Sequence, residues 1–310
     1  MLQSTGALLS ETWSFLIVRW KSVGIGIVAF TMVLAVNQAF FARQIDRNIA
    51  GILTATGLTN EEFQADLTNM LQNGAPADEV DRIIESLRQS VSTGRPAEEF
   101  GFVPTKTNAG LYFVISSMPL VFGLMLIAVA ILYVSGIFFT LMAVQDGRGT
   151  DEIARQLPAK ILFVSLLLPW IFFRSMAWIP LLVCTLMALL GPPMLFLPML
   201  FIGLVLAATL TSRYMLAPVL LLAGQQGVRQ SAKVSYAKTK GMLMAILGSR
   251  LTLVVFITLV IWVASGFVDI LSSFVPKAGF LLWLLVVEVC VAYGAVFNVR
   301  LAKAVLLKGR

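Results

Sequence analysis

The sequence predicts an all-α integral membrane protein with six transmembrane helices and an extracytoplasmic helical insert between the first and second spans. Three observations support this class. Hydrophobic residues make up 58% of the 310-residue chain and charged residues only 13%, whereas an average soluble domain carries about 25% charged residues. The apolar residues are concentrated in long runs, and Lys and Arg cluster in alternate connections between those runs. A soluble fold is therefore excluded.

A membrane-spanning helix needs about 20 mostly apolar residues. Six stretches meet this length: 22–41, 111–145, 159–190, 194–222, 241–270 and 279–300. Pro169, Arg174 and Pro180 interrupt the third stretch, which therefore fits either one kinked helix or two half-spans in a re-entrant pair. The first stretch has the alternative of a signal peptide, because Arg19 and Lys21 precede it. The region before it is unusually long for a signal peptide, so we interpret the stretch as a span.

Basic residues predict the orientation, because short cytoplasmic loops carry an excess of Lys and Arg. The connections between spans alternate between two sides of the membrane. On one side, the short connections hold one basic residue near the membrane, Lys277. The basic set comprises Arg19, Lys21, Arg148, Arg155, Lys160, Arg229, Lys233, Lys238, Lys240, Lys303, Lys308 and Arg310. With six spans, both termini and these loops share one side. We therefore expect a multi-pass protein of the bacterial inner membrane with cytoplasmic N and C termini.

The charge is divided unevenly along the chain. Segment 42–110 holds six basic and ten acidic residues, a net charge of −4, while the remainder holds 17 basic and six acidic residues, a net charge of +11. The positive charge is a topology signal, and its second interpretation is attraction to anionic lipid at the cytoplasmic face. No basic run is interleaved with aromatic residues on a soluble face, so nucleic acid is not an expected partner.

Three short segments are predicted to be helices at the cytoplasmic face. Residues 1–20 form an amphipathic interfacial segment, with an extension of the first span as the alternative. Two connections within the five-span bundle 111–310 carry interfacial helices near 150–158 and 228–240. Each of these connections has a small-residue turn followed by a short helix.

Segment 42–110 is predicted to be a helical module outside the cytoplasm. Thr59 and Glu62 form a capping-box pattern, in which each side chain binds an orphan backbone N–H, and a helix should follow to about Gln72. A second helix begins near Pro76. Its apolar residues recur at helical spacing: Val80, Ile83, Ile84, Leu87 and Val91. Two short helices cannot build a self-sufficient core, so this hairpin should dock on the outer ends of the spans or on a partner protein.

Ionisable residues at bilayer depth are costly and are therefore candidates for function. Arg213, Arg250 and Glu288 lie at matching depths in spans four, five and six, roughly 14–18 Å from the cytoplasmic edge at a rise of about 1.5 Å per residue. They are predicted to form an intramembrane polar cluster. In the alternative, the arginines reach the headgroups and Glu288 sits neutral against a polar neighbour.

The residue types exclude several kinds of chemistry. The chain has no His, and its two Cys lie inside apolar runs, so the sequence offers no metal-ligand cluster and no His-based catalysis. It also has no Gly-rich phosphate loop and no nucleophile elbow. We therefore expect no enzymatic activity, no cofactor and no metal.

The region between the fourth and fifth spans carries a longer pattern. Arg213 is followed by Ala217-Pro218, then by Gly227, a short helix with Ser235, and the basic turn Thr239-Lys240-Gly241. Together with the upstream loop Asp146-Gly147-Arg148-Gly149-Thr150, this pattern resembles the YciC-type bacterial inner-membrane proteins and the membrane domain beside some glycerophosphodiester phosphodiesterases. The resemblance covers roughly 120–310 and implies a helical membrane fold linked to the cell envelope. No soluble phosphodiesterase domain is found, so that activity is not implied.

These observations predict a non-enzymatic inner-membrane protein, an envelope or assembly component whose extracytoplasmic insert 42–110 contacts a partner. The alternative is a small transporter or a lipid-handling membrane protein that uses Arg213, Arg250 and Glu288. A polar cleft that reaches Glu288 would favour the alternative, and a solidly packed bundle would favour the structural function.

Overall fold

The computed structural model describes residues 4–73, 103–106, 108–146, 178–190, 196–223 and 227–308, with isolated positions between 81 and 93 and between 152 and 158. Every regular element in these ranges is an α-helix, as predicted. In chain order the helices are α1 Thr5–Val18, α2 Trp20–Thr56, α3 Asn60–Asn73, α4 Ala109–Val144, α5 Trp178–Leu190, α6 Phe196–Arg213, α7 Leu216–Leu222, α8 Val228–Thr239, α9 Leu243–Phe274 and α10 Pro276–Lys308.

Five stretches of helix are long and apolar enough to cross a membrane. They are Trp20–Thr56, Ala109–Val144, Leu197–Leu222, Leu243–Phe274 and Pro276–Leu307. A sixth span is not confirmed. Within 159–190 the structure describes only α5, whose 13 residues are shorter than a spanning helix needs. Residues 159–177 lie outside the described residues. The alternatives of a kinked helix and a re-entrant pair concern these residues.

Helix α2 continues well beyond the predicted end of the first span at residue 41. Its 37 residues correspond to about 55 Å at about 1.5 Å per residue, whereas the hydrocarbon core is about 30 Å thick. The helix ends at Gly57, whose φ of 68° is left-handed and whose N–H donates to the carbonyl of Leu53 at 2.8 Å. The first part of segment 42–110 is therefore a continuation of a spanning helix, because Arg43 and Asp46 end an apolar run without ending a helix.

The chain divides into two compact units, residues 1–33 with 131–310, and residues 34–130. The core of the first unit combines side chains from several helices: Leu8, Phe15, Phe139, Leu141, Leu216, Ile246, Phe297 and Leu301. Within this unit α9 packs along α10, and α5 packs along α6. Gly26 allows close packing, since a Cβ there would lie 2.7 Å from Cε1 of Phe138.

The N-terminal helix α1 belongs to this core. Leu8, Thr12 and Phe15 are buried, and the helix packs mainly against α10. Its opposite face is also apolar, with Trp13 and Ile17 more than half exposed. The predicted interfacial segment is thus a helix packed on the bundle, and it is separated from α2 by the non-helical residue Arg19.

In the second unit α3 is docked on the ends of α2 and α4. Phe63 of α3 is buried with Ile52 and Ala109, and its ring meets that of Phe113 edge to face at a centroid distance of 5.6 Å. The carboxylate of Asp66 accepts a hydrogen bond from the backbone N–H of Gly110 at 2.8 Å. This bond satisfies one of the donors that the first turn of α4 leaves without a partner.

The predicted capping box is present at the start of α3. The Glu62 N–H donates to Oγ1 of Thr59 at 3.3 Å, and the Thr59 N–H donates to Oε2 of Glu62 at 2.8 Å. The Thr59 hydroxyl also donates to Oε2 of Glu62, at 3.0 Å. The bonds from the Thr59 N–H and from its hydroxyl to this carboxylate lower the pKa of Glu62, because both favour the charged form. The apolar stripe predicted for the second helix of the segment lies outside the described residues.

A helix is observed at the predicted position 228–240, as α8, and its location at the membrane interface stays a prediction. In the other predicted interfacial helix, near 150–158, the positions that the structure describes are helical. Helix α8 packs mainly against α7, the last part of the preceding candidate span.

Candidate functional site

The carboxylate of Glu288 is fully buried in α10. Its Oε2 accepts a 2.5 Å hydrogen bond from the hydroxyl of Ser135 in α4, whose side chain is also fully buried. The other oxygen, Oε1, is buried and has no hydrogen-bond partner among the residues that the structure describes. Because buried polar atoms are nearly always hydrogen-bonded, this oxygen marks a place where a further donor would be stabilising.

Arg213 ends α6 at a turn that interrupts the candidate span Leu197–Leu222. Pro218 explains the turn, because it has no N–H to give to the carbonyl of Tyr214 and its ring would clash with that carbonyl in a continuous helix. The N–H of Ala217 donates to the carbonyl of Tyr214 instead, at 3.1 Å. The carbonyl of Arg213 is thereby left without its usual helical donor.

Hydroxyl groups of α8 satisfy the backbone at this turn. Ser235 and Thr239 both donate to the carbonyl of Arg213, at 2.8 and 3.2 Å. The Oγ of Ser235 also accepts from the N–H of Leu216 at 3.2 Å. Helix α8 is therefore attached to the interrupted candidate span by a side-chain cap, and both hydroxyl residues belong to the pattern that the sequence singled out.

The side chain of Arg213 lies against Tyr236 of α8. The guanidinium carbon is 5.1 Å from the centroid of the Tyr236 ring, within cation–π range. Its Nη1 is buried, and in the described ranges it has no hydrogen-bond partner. Arg213 therefore has an aromatic neighbour, and within the described part of the chain no carboxylate forms an ion pair with it.

The three predicted cluster residues are not joined by ion pairs in the described structure. Glu288 is hydrogen-bonded to Ser135, and its other oxygen has no donor within reach. Arg213 lies against Tyr236, and Arg250 is half-buried on α9. The alternative interpretation of Glu288, that it sits against a polar neighbour, agrees with its bond to Ser135.

A charge network that the sequence analysis did not identify lies around Asp146, just after α4. Its carboxylate pairs with Arg19 at 3.2 Å and with Arg300 at 3.3 Å. One turn beyond Arg300, the Nζ of Lys303 donates to the carbonyl of Ala143 at 3.0 Å, which is one of the carbonyls that the end of α4 leaves free.

Phe15 of α1 lies inside the same network. The guanidinium carbons of Arg19 and Arg300 are 6.0 and 5.2 Å from the centroid of its ring. A signal for the network existed in the sequence, since the charge bias puts Arg19, Arg300 and the loop of Asp146 at the same membrane face. The sequence could not show that one carboxylate lies between the two arginines.

Among the residues that the structure describes, no group of three or more Cys, Asp or Glu side chains could hold a metal ion. Cys184 and Cys290 are free thiols. The expectation that the chain has no metal and no cofactor stays a prediction.

The five long apolar helices make this chain a multi-pass helical membrane protein. Comparison with protein-family models, with curated proteins and with solved structures finds no match to it. The resemblance to the YciC-type proteins stays a prediction from the sequence pattern.

Proposed function

We propose that this is a non-enzymatic inner-membrane protein, an envelope or assembly component that contacts a partner protein through segment 42–110. The observation that carries the proposal is the fixed docking of α3. Its apolar side is buried with α2 and α4, and the bond between Asp66 and Gly110 ties it to the start of α4.

The packing around Gly110 supports a rigid presentation of α3. A Cβ at Gly110 would lie 3.0 Å from Cα of Leu67 and 3.1 Å from Oδ2 of Asp66, so only glycine lets the two helices approach this closely. A binding surface held in one orientation loses less conformational entropy when a partner docks. The rigidity of α3 therefore suits a helix that makes an interface.

The face of α3 that points away from this packing is polar. Glu61, Gln64 and Thr68 are exposed, and the whole segment 42–110 carries a net charge of −4. Complementary potentials at an interface favour association with a basic surface. The partner that fits is a protein with a basic docking face on the extracytoplasmic side, where the charge bias of the loops places this segment.

Site-specific photo-crosslinking in cells tests this function. A photoreactive residue at Gln64 or Thr68 should give a discrete crosslinked protein, and one at Gln230 on α8 should not. The variant Phe63→Ala, which removes the buried anchor of α3, should abolish the crosslink at Gln64 while the chain still inserts. Equal crosslinking at Gln64 and Gln230, or none from any exposed position of α3, would overturn the proposal.

The alternative function is that of a small transporter or lipid-handling protein. It is supported by two buried polar atoms without hydrogen-bond partners, Oε1 of Glu288 and Nη1 of Arg213. An ion pair between Glu288 and Arg213 is not among the described contacts. In this alternative function, the two residues would therefore act separately. A substrate-dependent change in the reactivity of a cysteine introduced at Ser135 would favour this alternative over the partner-contacting function.

A further inference from the structure

Helix α8 has two faces of different chemistry. Ser231, Ser235 and Thr239 recur every four residues and are fully buried, and the last two are hydrogen-bonded to the turn at Arg213. These bonds fix the rotation of the helix about its axis. The opposite face must therefore point away from the bundle.

The outward face of α8 carries a cationic stripe. Arg229, Lys233 and Tyr236 follow one another at helical spacing, and Lys240 comes next at the end of the helix. All four side chains are exposed. The sequence has no acidic residue between Glu152 and Asp269, and in the described residues none of the three basic side chains forms an ion pair. Within the part of the chain that the structure describes, no carboxylate neutralises the stripe.

Arg213 adds a fourth cation, held in a fixed position. The turn places its guanidinium beside the ring of Tyr236, so the cation from the span and the stripe on α8 meet at this tyrosine. Its buried Nη1 has no acceptor, although a buried polar atom without a partner costs about 1–3 kcal/mol. An acceptor from another molecule would remove this cost.

The location indicates the source of that acceptor. Helix α8 connects two candidate spans, Leu197–Leu222 and Leu243–Phe274, through short connections, so it lies where a span meets the lipid headgroups. Arginine pairs with phosphate through forked donors, and a tyrosine at this level has an apolar ring and a polar end suited to the interface.

We propose that Arg213, Tyr236 and the stripe of Arg229, Lys233 and Lys240 form a binding site for the headgroup phosphate of an anionic phospholipid. Arg213 binds the phosphate through its guanidinium, the ring of Tyr236 holds the guanidinium in place, and the stripe adds electrostatic attraction for the anionic headgroup. The site is independent of the partner-contacting function of α3, so either can fail without the other.

The test uses the full-length protein purified in mild detergent. Native mass spectrometry and the midpoint of thermal unfolding are recorded with phosphatidylglycerol, with phosphatidylcholine of the same acyl chains, and with inorganic phosphate alone. Phosphatidylglycerol should bind as a discrete adduct and raise the midpoint, whereas phosphatidylcholine and millimolar phosphate should not. Equal effects of the two lipids would overturn the proposal, and so would a full effect of inorganic phosphate, which would identify a site for free anions.

Variants locate the site. Arg213→Gln should weaken binding of phosphatidylglycerol about tenfold or more, the change expected when a charged hydrogen bond is lost. Arg213→Lys should recover only part of the affinity, because lysine lacks the forked donors. Lys277→Gln is the matched control, since Lys277 is exposed at the start of α10, next to the end of α9 that is opposite to α8, and this variant should bind as the wild type does.

A second variant keeps the proposal testable if Arg213→Gln does not fold. The combined change Arg229→Gln, Lys233→Gln and Lys240→Gln alters only exposed side chains and should leave the unfolding midpoint without lipid unchanged. It should reduce the affinity for phosphatidylglycerol and the dependence of binding on salt. Wild-type affinity in this variant would overturn the assignment of the stripe to the site.

Discussion

The hydroxyl of Ser135 donates a 2.5 Å hydrogen bond to Oε2 of Glu288, and both side chains are fully buried. This bond joins α4 to α10 at positions 153 residues apart in the sequence. It also contributes to the surroundings of a carboxylate that lies in the interior of an apolar helix. The Glu288 carboxylate is therefore stabilised by a hydrogen bond from a hydroxyl group.

The first prediction concerns the replacement of Glu288. Glu288→Gln keeps an oxygen for Ser135 and breaks no ion pair, so it should lower the free energy of unfolding by about 1 kcal/mol or less. Glu288→Ala leaves the Ser135 hydroxyl without its acceptor and opens a cavity, and it should cost about 2–5 kcal/mol. Denaturation in detergent micelles measures both. A loss of about 3–5 kcal/mol in the glutamine variant would instead show that an arginine depends on this carboxylate.

The second prediction concerns the close approach at Gly26. A Cβ there would lie 2.7 Å from Cε1 of Phe138 and 3.2 Å from Cε1 of Phe139, so Gly26→Ala should destabilise the protein by about 1–3 kcal/mol through overpacking. Gly24 is the matched control, because a Cβ there meets nothing within 4 Å. Gly24→Ala should be neutral or stabilising by up to about 1 kcal/mol, since alanine favours the helix. Equal unfolding midpoints for the two variants would contradict this packing.

The third prediction concerns the capping box of α3. The hydrogen bonds from Thr59 lower the pKa of Glu62 below its ordinary value of 4.5, so this contribution to the stability of α3 is complete above that value. It is lost as the pH falls through the lowered pKa of the folded protein. Hydrogen exchange of peptides covering 57–70 should be faster in Thr59→Ala than in the wild type at pH 7.

The control for this prediction is the pH dependence of the hydrogen exchange. The difference in exchange between Thr59→Ala and the wild type should shrink as the pH falls from 7 to 3, because the Glu62 carboxylate is progressively protonated as the pH passes below its lowered pKa. A difference that is unchanged between pH 7 and pH 3 would mean that the carboxylate does not contribute to the cap.

The fourth prediction concerns the network at Asp146. Asp146→Asn removes the carboxylate that Arg19 and Arg300 share, and it should lower the free energy of unfolding by about 1 kcal/mol, because the three side chains are partly exposed. The loss should become smaller in high salt. Asp269→Asn provides the comparison, since no ion pair of Asp269 is found in the described structure. If both variants lose the same stability, the network does not contribute.

The fifth prediction concerns topology. With Cys184 and Cys290 replaced by serine, a cysteine at Gln230 on α8 should not react with a membrane-impermeant thiol reagent in intact cells, because basic connections face the cytoplasm. A cysteine at Gln64 on α3 should react. Both positions are exposed, so permeabilised cells should label them equally. Labelling at Gln230 in intact cells would reverse the proposed orientation.

The sequence predicted the elements that depend on local chemistry. The spacing of Thr59 and Glu62 predicted a capping box that the structure contains, because its partners are three residues apart in the chain. The basic helix at 228–240 was also predicted from a local pattern, a small-residue turn followed by a short helix. The predicted span 22–41 did not show how far its helix continues, because hydropathy reports where a helix leaves lipid and Gly57 determines where α2 ends.

The sequence by itself determined the class of the protein, since an apolar run of about 20 residues must satisfy its backbone hydrogen bonds as a helix in lipid. Which side chains meet was decided only by the tertiary structure. Arg213, Arg250 and Glu288 have matching depths along their helices, but depth does not specify the direction in which each side chain points around its helix. Helix rotation is decided by packing, and it directs Glu288 to Ser135, Arg213 to Tyr236, and Arg300 to Asp146.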